Sequence, residues 1–174
     1  IVTLMSLGMY PEKLTLGYLR NQRLIDEIGE ITEVRVDWER EIADVRTIHG
    51  NGIVNLKEKT SNSLDTVDEV VLPQVKIKQS QIYALLKNIA GYNQIYREAG
   101  AVHGCALCKG LEILHFIEDI GRHNATDTIA GAMWLENIKG DDKWLYTTGR
   151  LTSEMLMKVA SMGIRVLLSR SGIT

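Results

Sequence analysis

Three short stretches of this 174-residue chain place an arginine where a strand gives way to a loop. They are Glu118-Asp119-Ile120-Gly121-Arg122-His123-Asn124, Thr147-Thr148-Gly149-Arg150 and Ser169-Arg170-Ser171-Gly172. In two of them a glycine stands directly before the arginine and a helix follows directly after it. Backbone N–H groups at a helix start favour an anion, and glycine lets that anion approach closely. Arginine adds a planar fork of donors that matches phosphate or carboxylate. Thr147, Thr148 and Ser169 add neutral donors. Together the three corners read as a site for a phosphorylated ligand. A plainer reading stands beside it, in which Arg122 caps a carboxylate such as Asp119 while Arg150 and Arg170 lie in solvent. The chain contains neither GxxxxGK[ST] nor GxGxxG, so neither standard nucleotide fingerprint applies.

His123 opens a helix, and a helix N-terminus disfavours imidazolium. A neutral His123 can then hydrogen-bond or accept a proton at the site, or be held by Asp119 or Asp127. Cys105-Ala106-Leu107-Cys108 spells CxxC, but it lies in an expected strand. Residues i and i+3 of a strand face opposite sides, about 10 Å apart along the chain. Such a pair neither closes a disulfide nor chelates one ion, so both cysteines read as small core residues. Cys108 becomes a weak catalytic candidate only if the strand ends at Leu107 and Cys108 enters the Lys109-Gly110 turn. A zinc site from His103, Cys105 and Cys108 lacks the HxE partner of the zinc deaminases, so no metal is expected.

The elements that position these groups follow from spacing. Ile1 to Met5 reads as a strand, and Pro11 as the first residue of a helix carrying Leu14, Tyr18 and Leu19. Val34, Val36 and Trp38 alternate as in a half-buried strand. Asn51-Gly52 reads as a hairpin turn before Ile53–Leu56. Residues 58–69 are polar and aperiodic, and are expected to form a mobile loop near the boundary between two parts, 1–72 and 73–174. Ser80 is placed to cap a helix carrying Ile82, Leu85, Leu86, Ile89 and Ile95. Val102–Leu107 and Leu111–Ile117 read as a hairpin. A helix after Gly121, a strand at Trp144–Tyr146, a helix at Thr152–Met162 and a strand at Ile164–Leu168 complete a β-β-α-β-α-β order. Strands separated by helices imply a parallel arrangement with right-handed crossovers, which gathers the three arginine loops at one sheet edge.

Composition bounds the class. The chain is 45% hydrophobic and 24% charged with a net charge of −2, as for one ordinary globular domain. That charge gives no support to nucleic-acid or membrane-surface binding. No run approaches the ~18 apolar residues of a membrane span. Two cysteines make no disulfide framework and fit a reducing cytoplasm. The chain opens at Ile1 rather than Met and stops just after a strand, as a piece of something longer would.

These residues resemble a known family. Glu118–Ala125, Thr148–Met155, Ala160–Ile164 and Ser169–Ser171 look like the signature of the FdhD/NarQ family of formate dehydrogenase accessory proteins. Gly100-Ala101-Val102-His103 resembles its GG-V-H segment, and Tyr10–Leu19 its early helix. The resemblance implies a three-layer α/β/α sandwich similar to cytidine deaminase, with a smaller N-terminal α+β part. It also implies a cytoplasmic homodimer, a sulfur carrier of sulfurtransferase type. Such a protein passes sulfur from a cysteine desulfurase to the molybdenum or tungsten bis-pterin guanine dinucleotide cofactor that formate dehydrogenase needs. Asp119, Arg122, His123, Asn124, Thr148, Gly149, Arg150, Ser169 and Arg170 are then the residues expected to hold that cofactor. The family's persulfide-carrying CxxC falls at Thr60–Leu64, where this chain has no cysteine. The alternative is a cofactor- or guanine-nucleotide-binding chaperone that moves no sulfur.

Overall fold

The computed structural model describes residues 2–48, 50 and 72–174. Residues 2–10 form neither strand nor helix, so the strand expected at the start is not formed. Their backbone is held instead by side chains, since Asp119 accepts from the Leu7 N–H and Asn124 donates to the Met5 carbonyl. Helix α1 spans Pro11–Asn21, with proline in its first turn, where a missing N–H costs nothing. A 3₁₀ turn at Ile28–Glu30 leads into an antiparallel hairpin of β1 (Ile31–Asp37) and β2 (Ile42–Thr47). Trp38 lies just past β1 and is exposed. The Asn51-Gly52 turn, Ile53–Leu56 and the 58–69 loop fall outside the described residues.

Helix α2 spans Gln79–Ile89 and α3 spans Gln94–Ala99. The single helix expected through Ile95 therefore breaks at Ala90–Asn93. The α2 cap position is Lys78, whose N–H is taken by the Gln81 side chain, and Ser80 sits inside the first turn. Strands β3 (His103–Lys109) and β4 (Glu112–Asp119) form a hairpin whose turn places Gly110 at φ +59°. Helix α4 (Arg122–Leu135), β5 (Trp144–Thr147), α5 (Ser153–Ser161) and β6 (Val166–Ser169) follow.

The four-stranded sheet runs β4-β3-β5-β6. Only β5 and β6 are parallel neighbours; β3 is antiparallel to both β4 and β5. The strands that helices separate thus keep the parallel direction expected from alternation, but β4 and β5 are not neighbours, because β3 lies between them. The tight β3–β4 turn makes those strands antiparallel neighbours, and β5 then pairs with the free side of β3. Strands β4, β5 and β6 still point the same way, so their carboxyl ends share one edge with the start of β3. The register fixes it: His103 faces Asp119, Cys105 faces Thr147, and Thr147 faces Ser169.

Helices cover both faces of this sheet. On one face Cys105, Leu107 and Leu145 pack with Ile129 and Met133 of α4 and Val159 of α5. On the other, Ala106, Cys108, Trp144 and Tyr146 pack with Leu85 and Ile89 of α2. Helix α1 crosses α4 at a pair of glycines. A Cβ at Gly17 would meet the Asp127 carbonyl oxygen at 1.6 Å, and one at Gly131 would meet the Lys13 carbonyl oxygen at 1.9 Å. Arg20 extends from α1 over the Trp134 ring and donates to the Ala130 carbonyl at 3.1 Å. Among the described residues, no helix is long and apolar enough to cross a membrane.

Candidate functional site at the arginine edge

Two of the three arginine loops, those after β5 and β6, are tied to each other and to the start of β3 by backbone and hydroxyl hydrogen bonds. Thr148 N–H donates to the Gly104 carbonyl at 2.9 Å, and the Thr148 hydroxyl accepts from Gly104 N–H at 3.0 Å. Gly149 N–H donates to the Thr147 hydroxyl at 3.0 Å. The Ser169 hydroxyl donates to the Gly149 carbonyl at 2.7 Å and accepts from Ser171 N–H at 2.9 Å. Arg170 N–H donates to the Thr147 carbonyl at 3.0 Å, and Leu151 N–H to the Gly172 carbonyl at 3.1 Å. Arg122, Arg150 and Arg170 therefore leave one edge of one sheet.

Their side chains differ in setting. Arg122 lies on the backbone of Gly149, where an added Cβ would sit 2.5 Å from Arg122 Cδ. Glycine is needed here for close approach rather than for an unusual φ. Arg122 is half-buried, and among the described residues it pairs with no carboxylate, Asp119 included, against the plainer reading of it as a carboxylate cap. Arg150 and Arg170 are exposed. Arg170 borders a groove of about 370 Å³, with Tyr96, His103, Thr148 and Ser171 among its other walls.

Asp119 and Asn124 are turned inward. One Asp119 oxygen accepts from Gly121 N–H at 3.1 Å and from Asn124 at 3.3 Å, and the other accepts from Leu7 N–H at 3.2 Å. Asn124 also donates to the Met5 carbonyl at 2.6 Å. Their polar atoms thus anchor the N-terminal segment across the start of α4. His123 is bonded to neither Asp119 nor Asp127. Its Nε2 lies 3.5 Å from Glu154 of α5. Burial is the largest influence on His123 and lowers its pKa; Lys158 and Arg122 add to this, and Glu154 opposes it. Burial and Arg122 likewise lower His103.

Behind His123 a polar chain runs inward between three helices. Glu154 lies 3.9 Å from Lys158, whose ammonium contacts both oxygens of Asp127 at 2.8 and 3.1 Å. Asn21 of α1 donates to Asp127 at 2.7 Å. Burial raises the Asp127 pKa, with Lys158 and Asn21 opposing. Spacing alone could have exposed this group. Lys158 stands with Met155, Val159 and Met162 on the buried stripe of α5, where a lysine needs an acid to meet it. Tyr96 and Glu118 gave no comparable signal. Glu118 is buried and accepts from the Ile95 and Tyr96 N–H groups at 2.9 and 2.8 Å, which holds α3 beside the groove.

The cysteines sit where strand alternation put them. Cys105 and Cys108 are buried on opposite faces of β3, and β3 continues to Lys109, so Cys108 is not in the turn. Burial pushes their thiols up to about 11 and about 12. Among the described residues no group of three His, Cys, Asp or Glu side chains could hold a metal ion.

The described residues thus form a mixed α/β core with arginines and backbone donors at one sheet edge. The chain is similar to the crystal structure of a formate dehydrogenase accessory protein from Desulfotalea psychrophila, with TM-score 0.78 and 26% identity over 97% of this chain and 67% of that one. It is also 27% identical to the sulfur carrier protein FdhD of Bacillus subtilis, over 99% of this chain and 71% of that protein. Against the sulfur carrier protein FdhD of Listeria innocua, identity is 37% over 58% of this chain and 38% of that one. The match thus spans from about four tenths to seven tenths of these relatives. The FdhD/NarQ family model matches residues 1–174, and the chain belongs to that family.

Proposed function

We propose that this chain serves formate dehydrogenase as an accessory protein, binding the molybdenum or tungsten bis-pterin guanine dinucleotide cofactor at the arginine edge. In this reading it acts as a cytoplasmic homodimer in the passage of sulfur from a cysteine desulfurase to that cofactor, on a deaminase-like sandwich. The convergence of Arg122, Arg150 and Arg170 on one edge carries the proposal. The donor set suits a diphosphate, since guanidinium groups bind its oxygens in a planar fork, and Gly149 lets the Arg122 side chain lie across the edge. Two adjacent residues there, Arg122 and His123, hold buried nitrogens, Nε and Nδ1, that have no hydrogen-bond partner among the described residues. Relatives named as sulfur carriers and a formate dehydrogenase accessory protein support the wider role.

The cysteines favour a second reading for the sulfur step. A relay thiol must be exposed and readily ionised, and neither Cys105 nor Cys108 is. On this reading the chain holds the cofactor or a guanine nucleotide and carries no sulfur on its own cysteines.

Two measurements test these readings. GDP should raise the melting temperature, and Arg122→Ala and Arg150→Ala should each shrink that rise. No GDP response overturns both readings. Incubation with a cysteine desulfurase and ³⁵S-cysteine then separates them: reductant-releasable label on the chain supports the carrier, and its absence supports binding alone.

A further inference from the structure

The polar chain behind His123 is more than the packing of α4 against α5 requires. Buried ion pairs seldom stabilise a core better than apolar side chains of similar size. Here Lys158, gripped by both Asp127 oxygens, also reaches Glu154, and Glu154 reaches His123 Nε2. A carboxylate 3.5 Å from that nitrogen favours the tautomer with the neutral ring's proton on Nε2. Nδ1 is then a bare nitrogen with no partner among the described residues, and it can donate only if the ring takes a second proton.

The charges facing the ring come from two helices: Arg122 on its own helix, and Glu154 and Lys158 on α5. Residues 2–10, which are tied to α4 through Asn124 and lie against its first turn, carry no charged side chain. Arg122 opposes protonation of His123. An oxyanion bound to the Arg122 guanidinium would cancel that opposition and add an attractive field of its own.

Resting on the proposed anion edge, we propose that a phosphorylated ligand is taken up there together with a proton. His123 is the group that accepts it, and Glu154, held by Lys158, is the positioning residue that fixes the ring. His103 is the competing acceptor. It borders the groove that Arg170 borders, and its Nδ1 lies 3.5 Å from the Thr148 hydroxyl, beside the Gly149 on which Arg122 rests.

The test uses P¹,P²-diguanosine diphosphate, whose phosphodiester oxygens do not titrate between pH 6 and 8. Calorimetry in buffers of different ionisation enthalpy counts the protons taken up on binding. Affinity should rise about tenfold from pH 8 to pH 6, as an average uptake of about half a proton requires. His123→Gln should flatten that profile and abolish the uptake. Glu154→Gln should move the profile to lower pH while leaving the pH 8 affinity within about twofold; a merely structural Glu154 would weaken binding equally at every pH. Should either variant misfold, NMR titration of the histidine ring protons in the unaltered protein gives the same answer through an upward shift of His123 on binding. Binding that is independent of pH, or uptake lost in His103→Gln but kept in His123→Gln, overturns this inference and leaves the anion edge standing. No binding at any pH overturns the edge itself.

Discussion

The crossing of α1 and α4 offers the sharpest structural test, through Gly17→Ala. The added Cβ would lie 1.6 Å from the Asp127 carbonyl oxygen and 2.7 Å from the Gly131 nitrogen. A carbon–oxygen contact settles at about 3.3 Å, so the helices must part by about 1.7 Å. Both obstacles are backbone atoms, and no change of rotamer relieves them. Overpacking of this kind costs about 3 kcal/mol, at the upper end of the usual range. The better helix preference of alanine returns about 1 kcal/mol. The net loss of about 2 kcal/mol lowers the melting temperature of a chain this long by about 4–8 °C. Circular dichroism melts measure it directly. Gly29→Ala is the control, because nothing lies within 4 Å of a Cβ at Gly29. It should stay within about 0.5 kcal/mol of the unaltered protein. A Gly17→Ala protein that melts with the control refutes the close crossing, and with it the placement of Asn21 on Asp127.

Three further outcomes follow from the same packing. Lys158→Met strips the buried Asp127 of its cation and should cost about 3–5 kcal/mol at pH 7. Burial already raises the folded-state pKa of Asp127, so stability linked to this acid is greatest at low pH and is lost as pH rises through that pKa. The Lys158→Met deficit should therefore shrink towards acid in urea titrations, and a deficit equal at pH 5 and pH 7 counts against the pair. With their thiols pushed up to about 11 and about 12, Cys105 and Cys108 should resist Ellman's reagent at pH 7.5 until urea unfolds the chain, and rapid native labelling would show them misplaced. Asn124→Ala removes the donor to Met5 and should speed amide exchange of the Leu7 N–H that Asp119 holds, with the β5 amides unchanged.

Much of this architecture was legible because it rests on local rules. Pro11 marks the start of α1, Gly163 takes φ +76° just after α5, and Gly110 opens the β3–β4 turn directly after Lys109. The Thr152 hydroxyl accepts from Met155 N–H at 3.4 Å and starts α5 where its sequence says a helix begins. The gathering of the arginines was also legible, since it needs only that β4, β5 and β6 run in one direction. The neighbour of each strand was not. Alternation of strands and helices fixes direction across a crossover but is silent on whether another strand lies between, and β3 occupies that place.

Polar side chains were legible by type and not by partner. Asp119 and Asn124 stand beside Arg122 in sequence and carry the right atoms for a ligand. Whether those atoms face outward depends on residues more than 100 positions away, Met5 and Leu7, which have unpaired backbone groups to satisfy. Hydrogen-bond demand from a strandless segment thus draws two motif residues inward and leaves the arginines, His103 and His123 to meet a ligand. The same logic, run forward, separates the two roles within one motif. A side chain whose donors and acceptors are all met inside the protein holds the edge in shape, and one with an unmet buried nitrogen, as in Arg122 and His123, is placed to be completed by something bound.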